Sequence, residues 1–291
     1  MAATLPVPAT QLKLKDILFA TDFSEGSQHA LPYVRAIARA FGSAVHLCHI
    51  EPEVPLAAGL AAPQIYEATG QIAAQHLTAL LNAPALKGLN LHLALGAGAI
   101  KDEMSQIIRE RNIDLVIAGT HGRTGLRKMV LGSVVEEIVH VATCPVLTVG
   151  PGIPFRKDVP FQHILFPTNL SEISELVLPF IILLATEFSA RVTVLNVIPR
   201  GQTSGADGIS LRDLAHKAMT ESLEADLVFF HPEFLVQEGD PVETILGVAR
   251  ERKVDLIAMG IENAFTPGIQ LRASTAYRII AGAHCPVLTM R

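Results

Sequence analysis

The 291-residue sequence contains no tryptophan, and aromatic residues make up only 5% of it. A surface that grips nucleic acid needs a basic face and stacking groups. Here acidic residues outnumber basic ones 28 to 23, for a formal charge of −5, so nucleic acid is not an expected partner. Cysteine is scarce as well. Cys48, Cys144 and Cys285 are odd in number and far apart, which argues against a disulfide framework or a zinc site and fits a reducing compartment. No apolar run is long: the most apolar stretch, Leu176 to Thr186, is too short to cross a bilayer, meets Glu187 at once, and reads as a buried helix. Met1 to Lys15 lacks a charged start followed by an apolar core of signal-peptide length. Secretion is therefore not expected, and the cytoplasm is the default compartment.

What the chain does have is 49% apolar residues against 18% charged, enough for a sizeable core, and a length that suggests two domains. It also repeats itself. Asp16-Ile-Leu-Phe-Ala-Thr-Asp22-Phe-Ser24 recurs as His163-Ile-Leu-Phe-Pro-Thr-Asn169-Leu-Ser171. The following apolar helix face, Ala30, Leu31, Val34, Ile37, Ala38 and Phe41, recurs as Val177, Leu178, Ile181, Leu184, Ala185 and Phe188, with the spacing of an amphipathic helix. Further on, Arg109-Glu-Arg-Asn-Ile-Asp-Leu115 matches Arg250-Glu-Arg-Lys-Val-Asp-Leu256, and Cys144-Pro-Val-Leu-Thr148 matches Cys285-Pro-Val-Leu-Thr289. The offset falls from 147 to 141, which puts a six-residue length difference between Ile50 and Gly98, at the Ala- and Pro-containing run Pro55 to Pro63. The expected organisation is an N-terminal domain over 1–150, a breaker-rich linker over 151–160 and a C-terminal domain over 161–291.

In the first half, short apolar runs at Ile17–Ala20, Val45–Ile50, Leu89–Leu95, Leu115–Ala118 and Val146–Val149 alternate with helical patterns. That alternation predicts βαβ units: an α/β fold with two tandem doubly wound parallel sheets of five strands, Rossmann-like in kind. Ligands of such sheets sit beyond the carboxyl ends of the strands, where strand order reverses. The segment after the fourth strand is Gly119-Thr-His-Gly122-Arg-Thr-Gly125-Leu-Arg-Lys-Met-Val-Leu-Gly132-Ser133, and it leads into a helical stretch, Val134 to Val141. Glycines before a helix N-terminus, with a serine hydroxyl beside them, can form an anion cradle. The same composition also serves a surface loop with glycines for its turns, and composition alone leaves the two open.

The spacing Gly-x2-Gly-x9-Gly-Ser, with Thr21-Asp22-Phe23-Ser24 after the first strand and Cys144-Pro145-Val146 before the last, resembles the ATP-binding class of universal stress proteins. The resemblance covers almost the whole chain, once per half. It implies the adenine-nucleotide α-hydrolase-like variant of the fold and ATP as ligand, with Mg²⁺ left open. Asp22, with Ala20 and Thr21, would hold the adenosine end, and Ile50 would pack on the base. Gly119 and Gly122 would line the ribose and phosphate path, and Gly132, Ser133 and Val134 would bind phosphate oxygens. His121 and Arg123 lie in the loop where they could touch phosphate, although an exposed histidine and a solvated basic loop, Arg127 and Lys128 included, fit the sequence as well. Family resemblance also implies pairing of the last strands, Pro145–Val149 with Pro286–Met290, as an internal pseudo-dimer, with a homodimer and a regulatory protein partner left open.

The second half departs from the pattern. Asn263 and Ala273 replace two of the spaced glycines, and Asn169 replaces Asp22. One nucleotide per chain, in the N-terminal half, is expected. The site also lacks the lysine of a Walker-type loop, since Gly132 is followed by Ser133-Val134, so hydrolysis should be weak at most. The alternatives are a transferase of a related nucleotide-using fold, for which no signature is present, and a scaffold without ligand. His46 and His49, three apart on a strand, should face opposite ways, and Glu136 and His140 supply only two ligands on one helix, so neither pair reads as a metal site.

Overall fold

The computed structural model describes residues 12–51, 62–120, 132–151, 153–155, 160–201, 210–261 and 274–291, with the side chains of 62–68 left aside. The chain divides into two compact units, one formed by Lys13–Pro151 and one containing Gly152–Arg291. Of the expected linker, residues 152 and 156–159 lie outside the described residues.

The first unit runs β1 (Asp16–Ala20), α1 (Glu25–Gln28), α2 (Leu31–Phe41), β2 (Ala44–Glu51), α3 (Ala62–Leu81), β3 (Asn90–Ala97), α4 (Ile100–Glu110), β4 (Leu115–Gly119), α5 (Ser133–Val141) and β5 (Val146–Val149). Its strands lie in the order β3-β2-β1-β4-β5, and every pairing is parallel. The second unit repeats this with β6 (His163–Pro167), α6 (Glu172–Leu176), α7 (Leu178–Phe188), β7 (Arg191–Ile198), α8 (Leu211–Leu227), β8 (Glu233–Glu238), α9 (Pro241–Glu251), β9 (Leu256–Gly260), α10 (Thr275–Gly282) and β10 (Val287–Met290), in the order β8-β7-β6-β9-β10, again all parallel. Chain direction across each sheet reverses beside the central strand, between β1 and β4 and between β6 and β9.

The near-continuous apolar runs of the central strands follow from burial on both faces. Ile17, Leu18 and Phe19 are shut off from solvent, as are their copies Ile164, Leu165 and Phe166. The duplicated helix face is buried at five of its six positions in each unit, and only Phe41 and Phe188 are partly exposed. The apolar stretch Leu176–Thr186 is broken by one residue. α6 ends at Leu176 and α7 begins at Leu178 with Pro179 in its first turn, where a missing N–H costs nothing. Part of the length difference between the halves lies in a helix: α3 has 20 residues and α8 has 17.

The repeated Arg-Glu-Arg motif carries its own structural device. Asp114 Oδ2 accepts from the N–H groups of Lys15 (2.7 Å) and Asp16 (2.9 Å), and Asp255 Oδ2 accepts from those of Gln162 and His163 (both 3.1 Å). Each aspartate ties the turn before the fourth strand to the start of the first, satisfying donors that the ladder leaves over.

Candidate functional site

Where the strand order of the first unit reverses, a cavity of about 240 Å³ opens at the carboxyl ends of β1, β2 and β4. Its wall includes Ala20, Thr21, Asp22, Ile50, Gly119, Gly132, Ser133 and Val134, which are all the described members of the set named from the sequence. His121, Gly122 and Arg123, and with them Arg127 and Lys128, lie outside the described residues. The sequence reading missed an apolar side made by Ile100 and Met104 of α4, and His49 of β2. The rule that ligands sit beyond strand ends would have pointed to Ile100, the first residue of α4 after β3.

The turn that presents Asp22 is held by short polar bonds. Thr21 Oγ1 accepts from Phe23 N (3.0 Å), and Asp22 Oδ1 accepts from Ser24 N (3.0 Å). Phe23 between them takes the left-handed conformation (φ 62°). Such a φ is rare for a residue with a side chain, and here the two flanking bonds enforce it. Ser24 then caps α1, accepting from Ser27 N (3.1 Å).

The second unit copies the turn: Leu170 stands at φ 60°, and Thr168 and Asn169 accept from Leu170 N and Ser171 N. It differs at one serine. Ser27 Oγ donates to Ser24 O (2.9 Å), whereas Ser174 Oγ donates to Asn169 Oδ1 (2.6 Å), an amide oxygen that also accepts from Ser171 N.

Gly119 lines the cavity, yet its missing side chain answers a different need. A Cβ there would lie 2.7 Å from Ser27 Cα and 2.9 Å from Gly26 C, and closer still to Gly26 O. Gly260 is in the same position: a Cβ would lie 2.7 Å from Ile173 C and 2.9 Å from Ser174 Cα. These glycines let the fourth strand of each unit pass against the backbone of a short helix. That explains why Gly260 persists in a unit whose loop has lost its other spaced glycines.

The two units part at the next helix. α5 begins at an N-cap, Gly132 (φ −61°, ψ 141°), that has no side chain to offer, so its first-turn N–H groups at Ser133, Val134 and Val135 receive no cap from it. In α10 the N-cap is Ser274, whose Oγ accepts from Tyr277 N (3.2 Å). Arg278 of that same first turn lies 4.0 Å from Asp240, the N-cap of α9. The first unit has Ala99 and Glu137 at these two places, which cannot form the pair. A helix start whose serine already caps one N–H offers an anion one donor fewer than a start capped by glycine, which keeps all its first-turn donors beside its partial positive charge.

His46 and His49 do separate as the strand period requires. His46 Nε2 meets Asp16 Oδ1 at 2.8 Å and its ring stacks on His92, while His49 Nδ1 meets Thr21 O at 2.9 Å. Among the described residues no group of three or more His, Cys, Asp and Glu is arranged to hold a metal, and no helix is long and apolar enough to cross a membrane.

Cys48 forms part of the cavity wall, and burial, with a lesser push from Glu103, raises its thiol to about 12. Burial does the same, to about 12, for Cys144 beside Asp114 and for Cys285 beside Asp255. Since the thiolate is the nucleophile, a pKa near 12 leaves about one thiol in 10⁴ ionised at pH 8. The native chain should therefore react with Ellman's reagent very slowly, Cys144 first because it is partly exposed, and should release three equivalents only once denatured. A fast native equivalent would contradict this burial.

A profile of the universal stress protein family matches residues 13–150 and again 160–291. The chain belongs to the universal stress protein family. A universal stress protein of Methanocaldococcus jannaschii is 30% identical over 138 residues, covering 46% of this chain and 81% of that protein. Universal stress protein A homolog 1 of Coxiella burnetii is 31% identical over 143 residues, covering 46% of this chain and 95% of that protein. In structure, a universal stress protein from Archaeoglobus fulgidus superposes with a TM-score of 0.66 at 20% identity, covering 96% of this chain and 99% of that one, a likeness of fold.

Proposed function

We propose that this universal stress protein binds one adenine nucleotide, ATP, in the cavity of its first unit, and that it acts as a stress-response regulator whose output is the bound conformation. The second unit, over 161–291, serves as a structural partner. The observation that carries the reading is the glycine-capped start of α5 on the wall of a cavity that Asp22 also lines, set against the self-capped start of α10. A polyanion fits the first helix start, where backbone N–H groups and the helix dipole favour negative charge. A carboxylate in the same wall suits the hydroxyl and amine donors of a nucleoside. The cavity volume of about 240 Å³ lies just below the range of about 300–1,000 Å³ usual for sites that enclose a drug-sized ligand, which matches burial of the nucleoside with the phosphates laid along α5. Gly132 is followed by Ser133-Val134 and not by the lysine of a Walker-type loop, and turnover is expected to be slow.

Calorimetric titration with ATP, with and without Mg²⁺, should give a stoichiometry of one per chain. The first-unit variant Gly132→Asp should weaken that binding about 100-fold. Two sites per chain, or none in protein freed of co-purified nucleotide, would sink the reading.

A further inference from the structure

The β1–β2 ladder ends at Ala20 and Cys48, with one further bond from Thr21 N to Cys48 O (2.9 Å). The next carbonyl, Thr21 O, is taken by a side chain, His49 Nδ1, at 2.9 Å. A carbonyl can only accept, so Nδ1 carries the proton. The His49 ring is held in turn by aromatic contacts. Phe23, the left-handed residue of the turn, lies against it with ring centroids 4.4 Å apart, and Phe23 also stacks on His76 of α3 at 5.1 Å with the planes 17° apart. His49 also forms part of the cavity wall.

The second unit supplies an internal comparison. There the ladder ends at Pro167 and Leu195, Thr168 N bonds Leu195 O (2.9 Å), and Thr168 O accepts from the side chain of Asn196 (2.8 Å). An amide thus does at Asn196 what the imidazole does at His49. Leu170 and Asn196 put no rings where Phe23 and His49 stand, so the aromatic stack belongs to the unit with the glycine-capped helix alone.

We propose that His49 is a positioning residue for the nucleotide: through the Nδ1–H bond to Thr21 O it fixes the peptide plane between Thr21 and Asp22, and Phe23 and His76 clamp its ring in place. The inference rests on the nucleotide reading given above. Its physical content is preorganisation. The peptide that carries Asp22 is locked before the ligand arrives, so binding does not have to order it.

Three proteins test it: wild type, His49→Leu and His49→Asn, each shown to be folded by circular dichroism and titrated with ATP. Loss of the bond should raise the ATP Kd about five- to tenfold in His49→Leu. His49→Asn, which borrows the amide of Asn196, should stay within about threefold of wild type, a rescue that mere filling of space would not produce. ¹⁵N spectra of the wild-type imidazoles, recorded without nucleotide, should show His49 protonated at Nδ1. That measurement decides the matter even if a variant fails to fold. An Nε2–H tautomer, unchanged affinity in His49→Leu, or equal weakness in both variants overturns the positioning role while leaving the nucleotide reading intact. Wild-type protein that binds no ATP overturns both.

Discussion

Gly119→Ala is expected to destabilise the first unit by about 2–3 kcal/mol, and Gly260→Ala to cost the second unit as much, although only the first of these glycines borders the cavity. The new methyl would press on main-chain atoms of α1 in one case and α6 in the other, at distances under 3 Å that no rotamer change can relieve. Overpacking against backbone forces the helix or the strand to move. Chemical denaturation gives the size of the effect, and hydrogen exchange should localise it to β4 and α1 in one variant and to β9 and α6 in the other. If the glycine were kept only for the approach of a ligand, Gly260→Ala would be silent. A silent Gly260→Ala would show that the backbone contact yields easily and that the glycine answers some other demand.

The contrast between Gly119 and Gly132 shows what can be read from residue types and what cannot. From the sequence both belong to one spaced motif, and both line one cavity. Their reasons for being glycine differ, because one abuts a helix backbone distant in sequence and the other caps a helix, and no spacing distinguishes those. The strands were legible almost residue for residue, since burial on both faces writes itself as unbroken apolar runs at Ile17–Ala20 and Leu115–Ala118. The break at Val177 was not, because Pro179 is equally at home in the first turn of a new helix and apolarity runs straight across it. By residue type His49 suggests only a metal ligand. Its partner is a main-chain carbonyl 28 residues earlier, and a backbone acceptor leaves no trace in residue identity. Met104 hid for a similar reason: on α4 it reads as ordinary core and shows its second role only when the cavity is drawn.

Gly132→Asp should weaken ATP binding by about 100-fold while leaving the first unit as stable as before, or roughly a few tenths of a kcal/mol more so. At the N-cap, with φ −61° and ψ 141°, the backbone is already in the extended conformation that a capping residue uses. An aspartate there would turn its carboxylate onto Val135 N–H, as Ser274 turns its hydroxyl onto Tyr277 N–H in the other unit. Helix start and side chain would satisfy each other, and a phosphate arriving at the same N–H groups would meet both a lost donor and a like charge. Gly132→Ser separates the two contributions. It installs the cap without the charge, so affinity should fall about tenfold and the stability gain should remain. In the opposite sense, Ser274→Ala should cost the second unit about 1 kcal/mol by removing its own cap. Affinity and stability therefore move in opposite directions at one residue, which general damage to the fold cannot imitate. ATP affinity unchanged in Gly132→Asp would mean that the phosphates do not lie on α5, whatever else the cavity holds.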